Sequence, residues 1–277
     1  MLAWLSEHQP VDLGDTIVDA GAFLGGSTAA LTRGLRSAGR SNRVHSYDMF
    51  LAPNDAYSLS MIGNGRAAGT SVQDMFESNL ADSLDLVEIR CGDFEKAVAP
   101  ERIAILFVDV AKTWNLNAVV VQEFFPRLMP GRSIVVQQDH NTHSCPWVNL
   151  TMEVYADYFD LLCDQDGSRV YLYKRAIPYR EMQIDLRSLP LRFKLAALAI
   201  SARRAPHPIT RFMSSVSAAW LIFEHRGLEQ AEEYLMSISP LQPWISEMPY
   251  ADDVLRSMKI HGTESGVAEY ERNYFRA

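Results

Sequence analysis

The sequence is poor in cysteine, in long apolar runs and in basic charge. Its three cysteines, Cys91, Cys145 and Cys163, are scattered over 277 residues, which argues against a disulfide framework or a CxxC zinc site. We therefore expect a reduced, cytoplasmic setting. No segment approaches the roughly 20 apolar residues that span a bilayer, so no membrane association is expected. A formal charge of −8 disfavours nucleic acid as the main partner, because phosphate neutralisation needs a basic surface.

Short apolar runs rich in β-branched residues alternate with helical patterns over the first 175 residues. The predicted strands are Thr16–Asp19, Arg43–Asp48, Leu86–Cys91, Ile103–Val110, Ser133–Val136, Phe159–Cys163 and Arg169–Tyr173. The predicted helices between them are Ser27–Arg36, Thr70–Ala81, Leu116–Leu128 and Val148–Tyr158. This alternation predicts an α/β fold with a doubly wound, mostly parallel sheet, in which the last two strands form an antiparallel pair.

The pattern changes near residue 176. From there to residue 277 proline breaks separate helical patterns, and no convincing strand pattern occurs. The predicted helices are Leu191–Arg204, Ile209–Glu224, Leu228–Ile238 and Tyr250–Ile260. We therefore expect a first domain over 1–175 and an α-helical extension over 176–277. The extension either covers an acceptor pocket or forms a homodimer contact.

A glycine-rich segment, Asp19-Ala-Gly-Ala-Phe-Leu-Gly-Gly-Ser-Thr28, follows the first predicted strand. Glycine lets the backbone approach a ligand closely, and the N–H groups at the start of the next helix suit a polar or anionic group. Asp48 ends the second strand, where a carboxylate can accept hydrogen bonds from a ribose diol. The alternative is a tight strand–helix turn without a ligand.

The pattern D-x-G-x-x-x-G-G-S-T resembles the first motif of class I S-adenosylmethionine-dependent methyltransferases, which have a Rossmann-like fold. The resemblance covers about residues 14–175. It implies that Gly21 and Gly25 face the methionine part, that Asp48 holds the ribose and that Asp93 contacts the adenine amine. The residues that it places at the cofactor are Asp19, Gly21, Phe23, Gly25, Ser27, Asp48, Asp93, Phe94 and Asp109. For Asp93, the alternative is an aspartate that caps a turn.

A second group of polar residues follows the fourth and fifth predicted strands. It comprises Asp109 and Lys112, and Asp139 and His140 after Gln138. Carboxylates on neighbouring strand ends repel each other unless a cation or a proton lies between them. Mg²⁺ takes such oxygen ligands. A lysine beside such a cation can have a lowered pKa and act as a base toward a hydroxyl.

This group is similar to the D-x-x-K and D-N motifs of metal-dependent O-methyltransferases of the catechol and caffeoyl-CoA type. The segment Pro126-Arg-Leu-Met-Pro-Gly131 is also similar to macrocin-type sugar O-methyltransferases. These resemblances imply that Asp109, Asp139 and His140 hold the metal and that Asp109, Lys112 and His140 are the catalytic residues. The chain has Gln138-Asp139 where the sugar enzymes have D-D, and His140 where the catechol enzymes have Asn. His140 could instead cap a loop, and Lys112 could be solvated.

Two further segments invite a functional interpretation. The stretch from Met49 to Gly69 has no clear period, and we interpret it as a long loop that forms a lid over cofactor and acceptor. Between Leu186 and Phe223 there is no acidic residue, while six residues are basic: Arg187, Arg192, Lys194, Arg203, Arg204 and Arg211. This predicts a positive stripe. The stripe is either a solvated face, an anion site for a phosphorylated or carboxylated acceptor, a contact with a carrier or partner subunit, or a contact with an acidic membrane surface.

Together these features favour an S-adenosylmethionine-dependent O-methyltransferase that acts on a hydroxyl of a small molecule, such as a sugar or a secondary-metabolite scaffold, with assistance from Mg²⁺. A nicotinamide-dependent oxidoreductase is an alternative. The glycine spacing disfavours it, as does the lack of an evident Tyr-x-x-x-Lys pair. A methyltransferase-like binding protein without catalytic turnover is the second alternative, because Gln138 and His140 depart from the motifs.

Overall fold

The computed structural model describes residues 1–54, 56–63, 66–165, 167–238 and 250–261, and it describes their side chains except at residues 56–57, 250–253 and 260–261. Its centre is a seven-stranded sheet. The strands are β1 (Thr16–Ala20), β2 (Val44–Asp48), β3 (Val87–Cys91), β4 (Ile103–Val108), β5 (Ile134–Gln137), β6 (Phe159–Gln165) and β7 (Ser168–Tyr173). The sheet confirms the predicted fold class.

The order of the strands is β3-β2-β1-β4-β5-β7-β6. Strands β1 to β5 run parallel, and β7 lies antiparallel between β5 and β6. Because β3, β2, β1 and β4 are adjacent and parallel, their carboxyl ends lie side by side at one edge of the sheet. In open α/β sheets this edge is where ligands bind.

Eleven α-helices occur in the described ranges. They are α1 (Leu2–His8), α2 (Gly26–Ser37), α3 (Ala56–Ile62), α4 (Gln73–Asn79), α5 (Trp114–Val119), α6 (Pro146–Val154), α7 (Tyr179–Met182), α8 (Leu191–Arg204), α9 (Pro208–Arg226), α10 (Leu228–Ile238) and α11 (Tyr250–His261). In the described ranges, no helix is both long enough and apolar enough to cross a membrane.

The core of the sheet follows from the apolar runs. All six residues of β4 are buried, as expected for a strand covered on both faces. On one face, Ile105 and Phe107 pack with Leu31 and Leu35 of α2. On another side, the Phe94 ring stacks on Phe124 with ring centroids 5.1 Å apart.

The helices differ from the prediction at several places. Helices α1 and α7 were not predicted, and α4 and α6 end earlier than the predicted Thr70–Ala81 and Val148–Tyr158. The segment 49–69, predicted as a loop, contains α3, and its base is closed by hydrogen bonds between Ala52 and the backbone of residues 69–70. The predicted helix Leu116–Leu128 is α5 followed by a π turn (Val120–Phe124) and a 3-10 turn (Phe125–Arg127). Pro126 explains the last break, because it has no backbone N–H and prevents a regular α-helix.

The chain forms two compact units. The first comprises residues 1–138 and 155–184, and the second comprises residues 139–154 with the described part of 185–276. The second unit is helical: α9 packs against α8 and α10, and α6 packs against α8 and α9. Its core includes Val216, Trp220, Leu235 and Met258. Residues 139–154, which the sequence analysis placed in the first domain, pack with these helices.

Candidate functional site

Three aspartates end neighbouring strands of the sheet. Asp19 lies in β1 and Asp48 ends β2, while Asp109 directly follows β4. The Asp109 N–H donates to the carbonyl of Ala20 at 2.7 Å, which continues the β1–β4 ladder by one residue. The parallel register therefore brings the three carboxylates to the same edge of the sheet.

The glycine-rich turn between β1 and α2 is built on left-handed backbone. Gly21 has φ +100° and Gly25 has φ +89°. A Cβ on Gly21 would lie 2.7 Å from the carbonyl carbon of Asp109, so only glycine fits there. Phe23 also has a positive φ, of 44°. Its N–H donates to Asp48 Oδ2 at 2.9 Å, and this bond holds the turn against the end of β2.

Asp19 is buried in a small network of hydroxyl groups. Its Oδ2 accepts hydrogen bonds from Ser27 Oγ at 2.7 Å and Thr28 Oγ1 at 2.5 Å. Thr28 Oγ1 also lies 2.9 Å from Ser46 Oγ in β2. Asp19 Oδ1 has no hydrogen-bond partner among the described residues. Since buried carboxylate oxygens are normally paired, this oxygen is a candidate contact for a ligand cation.

Burial raises the pKa of Asp19 from 3.8 to about 6. The hydrogen bonds from Thr28 and Ser27 act in the opposite direction, and the negative charges of Asp109 and Asp48 raise the pKa further. The ionised form of Asp19 is thus costly while no cation is near it.

Asp48 is held by the backbone on both sides. Its Oδ2 accepts the N–H of Phe23, and its Oδ1 accepts the N–H of Phe50 at 2.7 Å. Burial raises the pKa of Asp48, although these backbone bonds oppose the shift. Each oxygen has a second lone pair, so the predicted ribose contact is compatible with this geometry.

Asp93 caps a turn. Its Oδ1 accepts the N–H of Glu95 at 3.0 Å, and its Oδ2 lies 3.2 Å from Lys96 Nζ. This is the capping role that the sequence analysis left open, and it leaves Asp93 partly exposed beside the end of β2, where Gly92 N–H donates to the Asp48 carbonyl. The Phe94 ring is buried in the core, so only its backbone remains for a cofactor contact.

Asp109 and Lys112 form an ion pair. Lys112 Nζ lies 2.6 Å from Asp109 Oδ1, and the side chains of Lys112 and Asp109 are 28% and 36% exposed. The carboxylate stabilises the ammonium form of the lysine. This contact favours Lys112 as a cation or hydrogen-bond donor over Lys112 as a free base.

Asp139 and His140 lie in the second unit. Asp139 Oδ1 accepts Thr142 Oγ1 at 3.1 Å and its carbonyl accepts the Thr142 N–H, which closes a turn. His140 is fully buried. A buried imidazole can act as a base only where the acceptor reaches it, so the role of His140 stays a prediction.

The residues predicted for Mg²⁺ do not form a metal site in the part of the chain that is described. Within those ranges no group of three or more His, Cys, Asp and Glu side chains is placed to hold a metal ion. Asp109 instead contacts an ammonium group. Gln138, which replaces the first D of the D-D motif, accepts a hydrogen bond from Ser168 Oγ at 2.6 Å and so braces β7. Binding of Mg²⁺ by Asp109, Asp139 and His140 stays a prediction, because Asp109 lies in the first unit and the other two lie in the second.

The sequence analysis missed the hydroxyl groups of Thr28 and Ser46. Thr28 follows Ser27 in the glycine motif, so its helix position was a usable signal. Ser46 had none, because only the pairing of β1 with β2, which sets Asp19 opposite Ser46, brings it to this network.

No family model matches the chain, and no curated protein matches it. Among solved structures, the O-methyltransferase NovP matches at 18% identity and a TM-score of 0.48, covering 62% of this chain and 76% of that one. An S-adenosylmethionine-dependent O-methyltransferase from Thermotoga maritima matches at 17% identity and 0.39, covering 64% of each chain. The 23S rRNA methyltransferase ErmE matches at 15% and 0.38, covering 77% of this chain and 94% of that one.

Structural matches with such low identities and TM-scores carry no argument about a substrate or a reaction. The fold is therefore described from the strand order of this chain itself. The strands follow the order β3-β2-β1-β4-β5-β7-β6, and β7 is antiparallel to its neighbours. This is the Rossmann-like, mostly parallel sheet that the motif resemblance implies. A dinucleotide-binding sheet has the order 3-2-1-4-5-6 without an inserted antiparallel strand. The sheet of this chain differs from it, because β7 lies antiparallel between β5 and β6.

Proposed function

We propose that this chain is an S-adenosylmethionine-dependent methyltransferase that methylates a hydroxyl group of a small molecule. One observation carries the proposal: Asp19 Oδ1 is buried without a partner among the described residues, beside a glycine turn that admits no Cβ at Gly21. The ammonium group of an amino acid that is linked to a nucleoside would supply the hydrogen-bond donor that Asp19 Oδ1 lacks among these residues. When bound, S-adenosylmethionine supplies a sulfonium methyl group that an acceptor oxygen can displace.

Different residues of the first unit contact different parts of the cofactor. Asp19 faces the amino group of the cofactor, and the turn 21–25 packs its backbone against the methionine part. Asp48 accepts from the ribose hydroxyls. Asp93 and the backbone of Phe94 border the adenine. The motif resemblance implies the roles of the turn, of Asp48 and of Asp93. The role of Asp19 follows from its buried oxygen that is unpaired among the described residues. Each residue lies at or just after the carboxyl end of β1, β2 or β3.

Lys112 is our candidate for orienting the acceptor. Its ammonium group, held by Asp109 at 2.6 Å, can donate a hydrogen bond to the acceptor oxygen and stabilise the negative charge that develops there. In the transfer, the bond from sulfur to the methyl carbon breaks and a bond from the acceptor oxygen to that carbon forms, while the hydroxyl proton leaves to a base or to water. Alignment of the two reactants supplies much of the rate.

Isothermal titration calorimetry with the demethylated cofactor, S-adenosylhomocysteine, tests the binding step. We expect a dissociation constant on the order of micromolar, about 8 kcal/mol. The variant Gly21→Ala should weaken this affinity at least tenfold, because its Cβ would displace the Asp109 backbone. Gly14→Ala is the matched control: Gly14 has a similar φ, +92°, and a Cβ there meets nothing within 4 Å.

Two outcomes would reject the proposal. If the folded protein binds neither S-adenosylmethionine nor its product but binds NADH, detected by fluorescence, the oxidoreductase alternative is correct. If it binds the cofactor but transfers no methyl group to a panel of hydroxylated sugars and phenols, with Mg²⁺ or with EDTA, the chain is a binding protein without turnover.

A further inference from the structure

The exposed face of α8 has a composition that is unusual for a helix surface. Its members share one third of the helix circumference and include no acidic and no uncharged polar residue: Arg192, Phe193, Ala196, Ala199 and Arg203 are exposed, and Ile200 is half-buried. Apart from its two arginines this face is apolar, and an apolar strip on the outer side of a helix is normally covered by another element. We call these six residues the α8 face.

The two arginines of the α8 face have no ion pair or side-chain hydrogen bond in the described ranges, whereas other members of the predicted basic stripe do. Arg204 lies 3.0 Å from Glu153. Lys194 is buried, and its Nζ donates to the carbonyl of Arg187 at 2.5 Å. The basic residues of the stripe therefore differ in their surroundings. Arg192 and Arg203 are the two that lie exposed on the α8 face.

An acidic counterpart lies on α10. The exposed residues Glu229, Glu232, Glu233 and Met236 fall on one side of this helix, because their spacing repeats about every helical turn. None of the three glutamates has an ion pair or side-chain hydrogen bond in the described ranges. We call these four residues the α10 face.

Each face also carries a large apolar side chain. Phe193 on the α8 face is 47% exposed and Met236 on the α10 face is 65% exposed. Exposed apolar groups beside charges of one sign are typical of contact surfaces rather than of solvated helices. Helices α8 and α10 both pack on α9, so the two faces belong to the same compact unit.

We propose that these faces bind each other between two copies of this chain, with α8 of one protomer against α10 of its partner. A twofold dimer makes this contact twice, because each protomer offers both faces. Arg192 and Arg203 are eleven residues apart, about 16 Å along a helix. The α10 face is about 10 Å long, so it fits between the two guanidinium groups, and Ala196 and Ala199 let the helices approach closely.

The pairing of opposite charges favours a second copy over other partners. An anionic membrane or an acidic protein would use the α8 face alone, and it would be repelled by the glutamates of the same unit. Exposed ion pairs contribute little individually, so the apolar contacts supply the attraction and the charges select the partner. Association should consequently weaken as salt screens the charges.

Sedimentation equilibrium of the full chain between 1 and 100 µM tests this proposal. We expect a monomer–dimer equilibrium whose dissociation constant rises at least threefold from 50 to 500 mM NaCl. The variant Arg192→Glu/Arg203→Glu should weaken dimerisation at least tenfold, and Glu229→Arg/Glu233→Arg should do the same. An equimolar mixture of the two variants should dimerise about as well as the wild-type chain, because both contacts of the mixed dimer regain opposite charges.

The mixture separates a specific interface from a folding defect, since misfolded variants would not rescue each other. Circular dichroism of each variant verifies the fold. The proposal is overturned if the wild-type chain is monomeric at 100 µM, if either variant dimerises as the wild type does, or if the mixture stays monomeric. A monomeric chain that binds vesicles containing phosphatidylserine through Arg192 and Arg203 would assign the α8 face to a membrane instead.

Discussion

At the scale of single residues, Asp19 is the most informative side chain. It is fully buried, two hydroxyl groups bind one of its oxygens, and the other oxygen has no partner in the described ranges. A protein that buries such a group gives up stability for a site that a cation can complete. The cost and the function can be measured separately.

The cost appears in the pH dependence of stability. The pKa of Asp19 is raised to about 6, so the folded state binds its proton more tightly than the unfolded chain does. The stabilisation from this group is full below pH 4 and is lost as the pH rises to about 6. A shift of this size corresponds to about 3 kcal/mol. In Asp19→Asn this loss should be absent, so urea unfolding from pH 4 to pH 7 should show the variant gaining about 3 kcal/mol relative to wild type.

The function appears in ligand binding, in the opposite direction. Asp19→Asn should lose affinity for S-adenosylhomocysteine at pH 7 while it gains stability, because the amide cannot neutralise an ammonium group. Asp157→Asn, at a side chain that is 85% exposed, is the control and should follow the wild type in both measurements. If Asp19→Asn shows the wild-type pH profile, the titrating group is another residue.

At the scale of elements, the contact between α1 and α2 depends on one glycine. A Cβ on Gly34 would collide with the carbonyl oxygen of Ala3 and with Ser6 Oγ. Ser6 Oγ in turn donates to the Leu31 carbonyl at 2.8 Å. The two helices therefore approach so closely that no side chain fits between them at this point.

Gly34→Ala should lower the free energy of unfolding by about 2–4 kcal/mol, because overpacking here moves backbone rather than a flexible side chain. Gly26→Ala, in the first turn of the same helix, is the control: a Cβ there meets nothing within 4 Å. It should stabilise the chain by up to about 1 kcal/mol through helix propensity. Urea denaturation measures both. Equal effects of the two substitutions would show that α1 does not pack on α2 in this way.

At the scale of the whole molecule, ligand binding should stabilise the first unit. With S-adenosylhomocysteine at one hundred times its dissociation constant, the expected gain in the free energy of unfolding is about 2.7 kcal/mol. Hydrogen exchange should slow in residues 19–28 and 44–50, which form the glycine turn and the end of β2. Exchange in the core of α9 is the internal reference and should not change.

Gly14→Ala should retain this ligand-dependent gain, and Gly21→Ala should lose it. Protection confined to α8–α10 would place the binding site in the second unit and would contradict the assignment of Asp19 and Asp48.

The sheet could be predicted from sequence because its signals are local. Each apolar β-branched run became a strand. The predicted strand Ile103–Val110 became β4, which ends two residues earlier, at Val108, and is buried throughout. Helices α8 and α10 have the predicted bounds. Helix α1 was missed because it has only seven residues and because its packing depends on the close approach to α2 at Gly34, which the local sequence does not show.

The sequence by itself determined the alternation of strands and helices, the glycine turn and the aspartates at the strand ends, because residue order and side-chain periodicity specify these. Only the tertiary structure decided that Lys112 contacts Asp109, that Ser46 joins the network of Asp19, and that His140 is buried. Ser46 and Asp19 are 27 residues apart, so only the pairing of β1 with β2 brings them together, and the burial of His140 depends on the elements packed around it. The proposed contact between α8 and α10 likewise could be inferred only from the structure, because it depends on which charged side chains each helix exposes.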